Sequence, residues 1–340
     1  MKRFIAGLIS FIYLFVATPV LPTAEAARVA ITAPSAVLLD GSRGSFLYAK
    51  NSNSKRAPAS TTKVLTAIVA VEHLKLNQVI TIPKFAESVE PSKAYLRQGE
   101  RYRAKDLIRA ALIASANDAA EVLAVAVAGS RSKFARLMNK KARAIGARNS
   151  NFIRPSGLPA KGQYSTARDM AKIMRYAQRY PFIVEALKTK RTSIRSLTGR
   201  KIYLKNHNKM LWRDPREILG KTGWTRRARH CFVGYVNVYG RIAYIAMLGS
   251  TSLWRDIKRL VDYKFGKNLT KVAINKKLWS TAATRKIQKA LKRAGYSPGS
   301  IDGKFGPKTL KAIRGFQAAK GLKQDGIVGP QTYGRLKPYF

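Results

Sequence analysis

An eight-residue pattern, Asp-Gly-x-x-Gly-Pro-x-Thr, occurs twice near the end of the chain, at residues 302–309 and 325–332. It constrains the fold of that region more tightly than any other feature, because a short repeat of turn residues prescribes a repeated turn. Asp-Gly sets a tight turn, the second glycine lets the chain reverse, and proline, with its fixed φ and missing N–H, fits the first position of a helix. Helices are therefore expected to start near Pro307 and Pro330. Upstream, Ile287, Ala290, Leu291 and Ala294 recur at i, i+3, i+4 and i+7, the signature of a third amphipathic helix. Residues 281–340 thus read as a small three-helix bundle, with the repeated Asp, Gly and Pro as turn formers rather than ligand contacts.

The rest of the chain is long enough for a second, larger core: 340 residues in total with 46% hydrophobic side chains suggest about two domains. Residues 28–262 mix strand-like alternation at 36–39 and 44–48 with apolar-periodic segments at 64–76 and 107–127, which predicts an α+β domain. Near its end, two β-rich runs, 231–239 and 241–248, flank Gly240 and predict an antiparallel hairpin. Residues 263–280 are basic and lack periodicity, and are read as a linker.

Sixty-five Lys and Arg against 17 Asp and Glu give a formal charge of +48, a surface that attracts polyanions: nucleic acid, anionic lipid headgroups or acidic wall polymers. The first residues choose among them. Lys2 and Arg3 precede the apolar stretch 4–20, and Ala24-Glu25-Ala26 supplies a small-x-small cleavage site, so residues 1–26 read as a signal peptide. The alternative is an uncleaved anchor, but 17 apolar residues ending at Pro19 and Pro22 sit at the lower limit for a membrane span. No later run approaches that length, so no transmembrane segment is expected after cleavage. Export to the periplasm or cell wall argues against a nucleic-acid partner. The single Cys231 excludes a disulfide framework and a Cys-rich metal site, and only His73, His207 and His230 are left for a histidine one, so no metal or cofactor is expected.

Chemistry must then come from ordinary side chains. Ser-x-x-Lys occurs at Ser52, Ser60 and Ser130. Ser52 lies in a polar loop sequence and Ser130 follows Gly129 ahead of a basic helix, where it reads as an N-cap. Ser60 alone falls at the first turn of a buried helix, where Lys63, three positions on, is roughly one turn away on the same side and its amine can reach the Ser60 hydroxyl. Downstream lie the only Ser-x-Asn, Ser115-Ala116-Asn117, and the only Lys-Thr-Gly, Lys221-Thr222-Gly223. A serine hydroxyl is a weak nucleophile until a base takes its proton, and a lysine with pKa about 10.4 is protonated at neutral pH until something depresses it. Burial and the charge of Lys221 are the expected causes, making Lys63 the candidate base.

Ser-x-x-Lys, Ser-x-Asn and Lys-Thr-Gly in this order form the set shared by penicillin-binding proteins and class A β-lactamases. With Ser-Ala-Val-Leu-Leu-Asp at 35–40, Tyr-Ser-Thr-Ala-Arg-Asp-Met-Ala at 164–171 and Lys-Thr-Gly-Trp-Thr at 221–225, the chain from about 30 to 262 resembles the serine D-alanyl-D-alanine carboxypeptidases, the low-molecular-mass penicillin-binding proteins. Residues 281–340 resemble the peptidoglycan-binding domain of bacterial and phage wall hydrolases, on Ile287 to Tyr296, the two repeats and Phe316 to Leu322.

The resemblance implies a transpeptidase fold, an antiparallel sheet flanked by helices, acting on peptidoglycan stem peptides and inhibited covalently by β-lactams. It implies Ser115 as proton relay and Asn117 as a peptide-holding amide. Lys221, Thr222 and Gly223 would lie on the strand bordering the cleft, with Lys221 and Thr222 meeting the terminal carboxylate and the N–H groups of Ser60 and Trp224 forming the oxyanion hole. Where relatives often carry an arginine that holds this carboxylate, the chain has His207, which can do so only when protonated. A D,D-endopeptidase remains open as the alternative. A non-catalytic wall-binding scaffold is disfavoured by three intact motifs, and a class A β-lactamase by the lack of a glutamate in residues 148–157, where its deacylating base belongs.

Overall fold

The computed structural model describes residues 29–265, except 215, 239 and 240, and residues 279–340. The expected signal peptide and most of the expected linker lie outside them.

The elements run β1 (Ser35–Asp40), β2 (Phe46–Lys50), α1 (Lys63–His73), β3 (Val79–Thr81), β4 (Arg101–Arg103), α2 (Ala104–Ile113), α3 (Asn117–Ala128), α4 (Arg131–Ala144), α5 (Ala167–Ala177), α6 (Pro181–Lys188), β5 (Arg191–Arg195), β6 (Lys201–Lys205), α7 (Met210–Arg213), β7 (Glu217–Thr225), β8 (Arg229–Val238), β9 (Arg241–Ser250) and α8 (Leu253–Phe265). Five strands form one antiparallel sheet in the order β2-β1-β9-β8-β7, so β7 ends the sheet on one side. The expected hairpin is β8–β9, with Val238 opposite Arg241.

Strand β1 is buried at every position, because helices cover both faces of the sheet. Val37 and Leu39 join Val233 and Ala246 in the core under α1, α3 and α5, while Ala36 and Leu38 join Phe232, Ile245 and Met247 against Ile257 and Leu260 of α8. The α+β expectation holds.

Two boundaries differ from the sequence reading. The apolar segment 107–127 is two helices, because Ser115 adopts φ 60° and Ala116 is extended, turning the chain between α2 and α3. Apolar periodicity runs across the break because both helices bury their faces in one core. Both ends of the segment expected as a linker belong to the flanking units: α8 continues to the buried Phe265, and Trp279 stacks on Tyr333 with ring centroids 4.6 Å apart and donates Nε1–H to Val328 O.

In the C-terminal unit, α9 (Thr281–Arg293), α10 (Pro307–Ala319) and α11 (Pro330–Leu336) enclose Ile287, Leu291, Phe305, Ile313, Phe316 and Leu336, and both prolines are at the first helical turn as expected. Each repeat is fastened by a buried glutamine from the preceding helix. Gln288 donates to Ser300 O, Asp302 Oδ1 and Lys304 O, each at 3.0 Å, and accepts from Gly303 N at 2.8 Å. Gln317 does the same with Asp325 Oδ1 and Ile327 O at 2.9 Å and with Gly326 N at 2.8 Å. Gly303 and Gly326 have φ of 77° and 74°, which glycine adopts without strain.

Candidate active site

Ser60 sits in a 3-10 turn, Ala59–Thr62, that leads directly into α1 at Lys63, so Ser60 precedes the α-helix rather than forming part of its first turn. Ala59 has φ 49°, a left-handed conformation that bends the chain sharply just before Ser60. Lys63 is completely buried. Its Nζ lies 2.8 Å from Ser60 Oγ, 2.6 Å from Asn117 Oδ1 and 2.6 Å from Ser156 O. Two of these partners are carbonyls, which can only accept. A neutral amine directs its two hydrogens to them, and its lone pair then faces the Ser60 hydroxyl.

The neutral form is favoured. Burial, and then the nearby charge of Lys221, push the Lys63 pKa well below its ordinary value, against the opposing pull of Glu121 and Asp118. Lys221 is itself buried, which lowers its pKa to about 7. Its Nζ donates to Ser115 Oγ at 2.9 Å and to Thr222 O at 2.8 Å. The left-handed turn at Ser115 aims that hydroxyl between α2 and α3 toward β7. Because the Lys221 charge depresses Lys63, a Lys221→Gln variant is expected to move the acid limb of the acylation rate to higher pH. Its pH profile with a β-lactam checks this, and an unmoved limb would show that the two amines do not interact.

Asn117 opens α3 and is buried; its carbonyl accepts from Lys63 and its Nδ2 donates to Glu90 O at 2.9 Å. One amide hydrogen is left for a bound peptide, so the residue orients Lys63 as much as it faces the cleft.

Gly223 lies on the terminal strand β7 at the closest approach to the serine turn: a Cβ there would stand 2.8 Å from Ser60 N and 3.0 Å from Ala59 Cβ. This contact requires glycine and holds β7 against the Ser60 backbone. Trp224 beside it is 58% exposed, its ring 6.4 Å from that of His230.

A cleft of about 500 Å³ opens over these groups, lined by Ser60, Ser115, Asn117, His207, Thr222, Gly223 and Trp224, with Lys63 and Lys221 buried. Every sequence-predicted site residue therefore converges on one place. His207 keeps part of its ring in solvent, yet desolvation and the charges of Lys221, Lys63 and Lys205 lower its pKa to about 4. It is neutral at neutral pH, so the protonation on which its carboxylate contact depends occurs only in acid.

Several residues were not singled out from the sequence. Ser156 supplies a carbonyl to Lys63 and donates its hydroxyl to Glu121 Oε1 at 2.5 Å, while Arg131 Nε lies 3.0 Å from the other carboxylate oxygen. A lone glutamate in the Ala- and Val-rich α3 was the available signal, since a buried carboxylate requires partners. Asp118 accepts from Ala94 N and Leu96 N, fastening the loop that brings Pro91 and Ser92 to the cleft.

A serine against a buried, charge-depressed lysine, beside a second Lys–Ser pair and the end strand of an antiparallel sheet, defines a serine hydrolase of the acyl-transfer kind. The chain belongs to the D-alanyl-D-alanine carboxypeptidase family, peptidase S11, whose pattern matches residues 22–249. Residues 280–336 match the putative peptidoglycan binding domain.

It is 33% identical over 242 residues to D-alanyl-D-alanine carboxypeptidase DacF of Bacillus subtilis strain 168, covering 68% of this chain and 62% of that one. It is 31% identical to the D-alanyl-D-alanine endopeptidase of Escherichia coli K12, covering 76% of this chain and 88% of that one. The crystal structure of a D-alanyl-D-alanine carboxypeptidase from Mycobacterium tuberculosis H37Rv superposes with a TM-score of 0.66 at 31% identity, covering 71% of this chain and 94% of that one. The chain thus spans less than two thirds of the Bacillus relative, and nearly all of the solved structure.

Proposed function

We propose that the protein removes the terminal D-alanine from peptidoglycan stem peptides through an acyl-enzyme on Ser60. The observation that carries this is Lys63 Nζ, held by two carbonyl acceptors with its third position toward Ser60 Oγ. In the reaction, Ser60 Oγ attacks the carbonyl carbon of the penultimate residue as Lys63 takes the hydroxyl proton. The N–H groups of Ser60 and Trp224 hold the oxyanion. The C–N bond breaks as a proton reaches the leaving amine through Ser115, and water then releases the shortened peptide and regenerates Ser60. Lys221 and Thr222 meet the substrate's terminal carboxylate, with Gly223 giving close access along β7. β-Lactams acylate the same oxygen. His207 contributes a charge to carboxylate binding only in acid.

In this reading the catalytic domain runs to Phe265 and the unit from Trp279 to Phe340 binds the wall polymer, with an exported enzyme acting in the periplasm or at the wall after loss of residues 1–26. The +48 charge concentrates it on polymers carrying carboxylates and phosphates.

The test is incubation of the purified mature protein, and of a Ser60→Ala variant, with a pentapeptide ending in D-Ala-D-Ala. The expected result is loss of one D-alanine by mass, abolished in the variant together with the covalent penicillin adduct. Absence of both from the unaltered protein would overturn the proposal.

A further inference from the structure

Behind the base, α3 carries a carboxylate into the core. Glu121 has no solvent exposure, and around it the helix buries Ala119, Ala120, Val122, Leu123 and Ala124. Ser156, also fully buried, donates its hydroxyl to Glu121 Oε1 at 2.5 Å and turns its carbonyl to Lys63 Nζ at 2.6 Å, so one residue joins the carboxylate to the base. The same segment is held to α1 by Thr66, whose hydroxyl donates to Pro155 O at 2.6 Å. On the outer side, Arg131 Nε stands 3.0 Å from Glu121 Oε2, close enough to pair the charges but not aligned for a hydrogen bond. The Arg131 guanidinium lies over the Phe85 ring, 4.6 Å from its centroid, and 43% of that side chain is in solvent. Stability does not account for a charge at this place. An acceptor for one hydroxyl need not be ionised, and the desolvation of a buried carboxylate is offset only in part by a half-exposed arginine.

We propose that Glu121 is a positioning residue for acylation: through Ser156 it holds Lys63 in line with Ser60 Oγ and stabilises the ammonium that forms as the proton arrives, the part a carboxylate plays behind the histidine of a serine triad. The inference rests on the proposed function, in which Lys63 is the base. The proton passes from Ser60 Oγ to Lys63 Nζ, and Glu121 exchanges none. The resulting buried ammonium has the positive Lys221 of β7 nearby, and His207, which is neutral at neutral pH; Asp118 and Glu121 of α3 are the opposing carboxylates. Asp118 is committed to the N–H groups of Ala94 and Leu96, whereas Glu121 is linked to the base itself. Its charge acts with opposite signs on two quantities. Before reaction it favours protonated Lys63 and so works against the free base, and during proton transfer it favours the product of that transfer.

The test is the pH profile of penicillin acylation, followed by mass, in the mature protein and in its Glu121→Gln, Ser156→Ala and Glu121→Gln/Ser156→Ala variants, with Tm measured alongside. Glutamine keeps the shape and an acceptor for the Ser156 hydroxyl. Glu121→Gln is expected to lower the plateau rate about tenfold and yet move the acid limb to lower pH by about half a unit. Ser156→Ala should lower the plateau to a similar extent, and the double variant no further than the poorer single one, because both break the same link. A residue that merely supports the fold would lower rate and Tm together and leave the limb in place. An unmoved limb, a plateau within twofold of normal, or losses that multiply in the double variant would each overturn the role of Glu121 and leave Lys63 as the base. An unaltered protein that forms no penicillin adduct would instead remove the proposed function and this inference with it.

Discussion

Replacing Lys63 with methionine is expected to slow β-lactam acylation of Ser60 about a thousandfold while the protein stays folded. A positioned general base contributes on the order of 10² to 10⁴ in rate, and Lys63 is the amine within 2.8 Å of the hydroxyl. Lys63→Arg should be no better, because a guanidinium does not give up its proton. Removing the buried amine leaves Asn117 Oδ1 and Ser156 O without a donor, at about 1–3 kcal/mol each, but it also relieves the desolvation of an amine with no solvent contact. These opposing effects are comparable, so stability should change little. Rapid-mixing measurement of the adduct by mass decides the matter; acylation within tenfold of normal would place the base elsewhere.

The same burial sets the sign of the pH dependence of stability. Lys63 and Lys221 have folded pKa values below the ordinary 10.5, so the unfolded chain binds their protons more tightly. Their contribution is complete above about 10.5 and is lost as pH falls through that range toward the folded values, which for Lys221 is about 7. Denaturant midpoints should therefore fall with pH over this window, and the fall should be shallower in the Lys63→Met variant.

The second large effect is expected from Gly157→Ala. Gly157 has φ 79°, and a Cβ there would lie 2.0 Å from Ala59 O and 2.9 Å from Thr62 Oγ1. Either the 154–158 segment or the Ser60 turn must move. A cost of about 3 kcal/mol corresponds to a drop in Tm of roughly 6–12 °C for a domain of this size. Acylation should fall as well, because Ser156 O and Ala59 are displaced together. Gly129→Ala is the control: its φ of 73° carries the same backbone penalty, but nothing lies within 4 Å of the new Cβ. Equal losses of stability in the two variants would show that the contact with Ala59 is unimportant.

Features encoded locally were legible from the sequence. The turn and cap residues of the C-terminal repeats specify their own conformation, and Ser130 does accept from Lys133 N as an N-cap. Ser60 and Lys63 are close by helical spacing alone. Convergence of Ser115, Asn117 and Lys221 on that pair could be inferred only from resemblance, since the contacts join residues 54 and 106 positions apart. Ser156 and Gly157 carry no motif: their role exists only once the 154–158 segment packs on Ala59. The lowered pKa of His207 was likewise hidden, because it arises first from desolvation in the folded cleft and then from three lysines that come from α1, β6 and β7. The turn at Ser115 went unseen for a different reason, namely that no glycine or proline marks it.

Gln288 and Gln317 make the C-terminal unit sensitive to chemical ageing. Each side-chain nitrogen serves several oxygens at once, and these include the carboxylates of Asp302 and Asp325. Hydrolysis of either amide to a carboxylate would turn a shared donor into a further acceptor, set two negative charges side by side and leave the turn carbonyls unpaired, each at about 1–3 kcal/mol. Near-complete burial shields both amides from water while the bundle is closed. The working lifetime of this unit is therefore tied to how seldom it opens: every excursion exposes the two groups whose damage would prevent it from closing again.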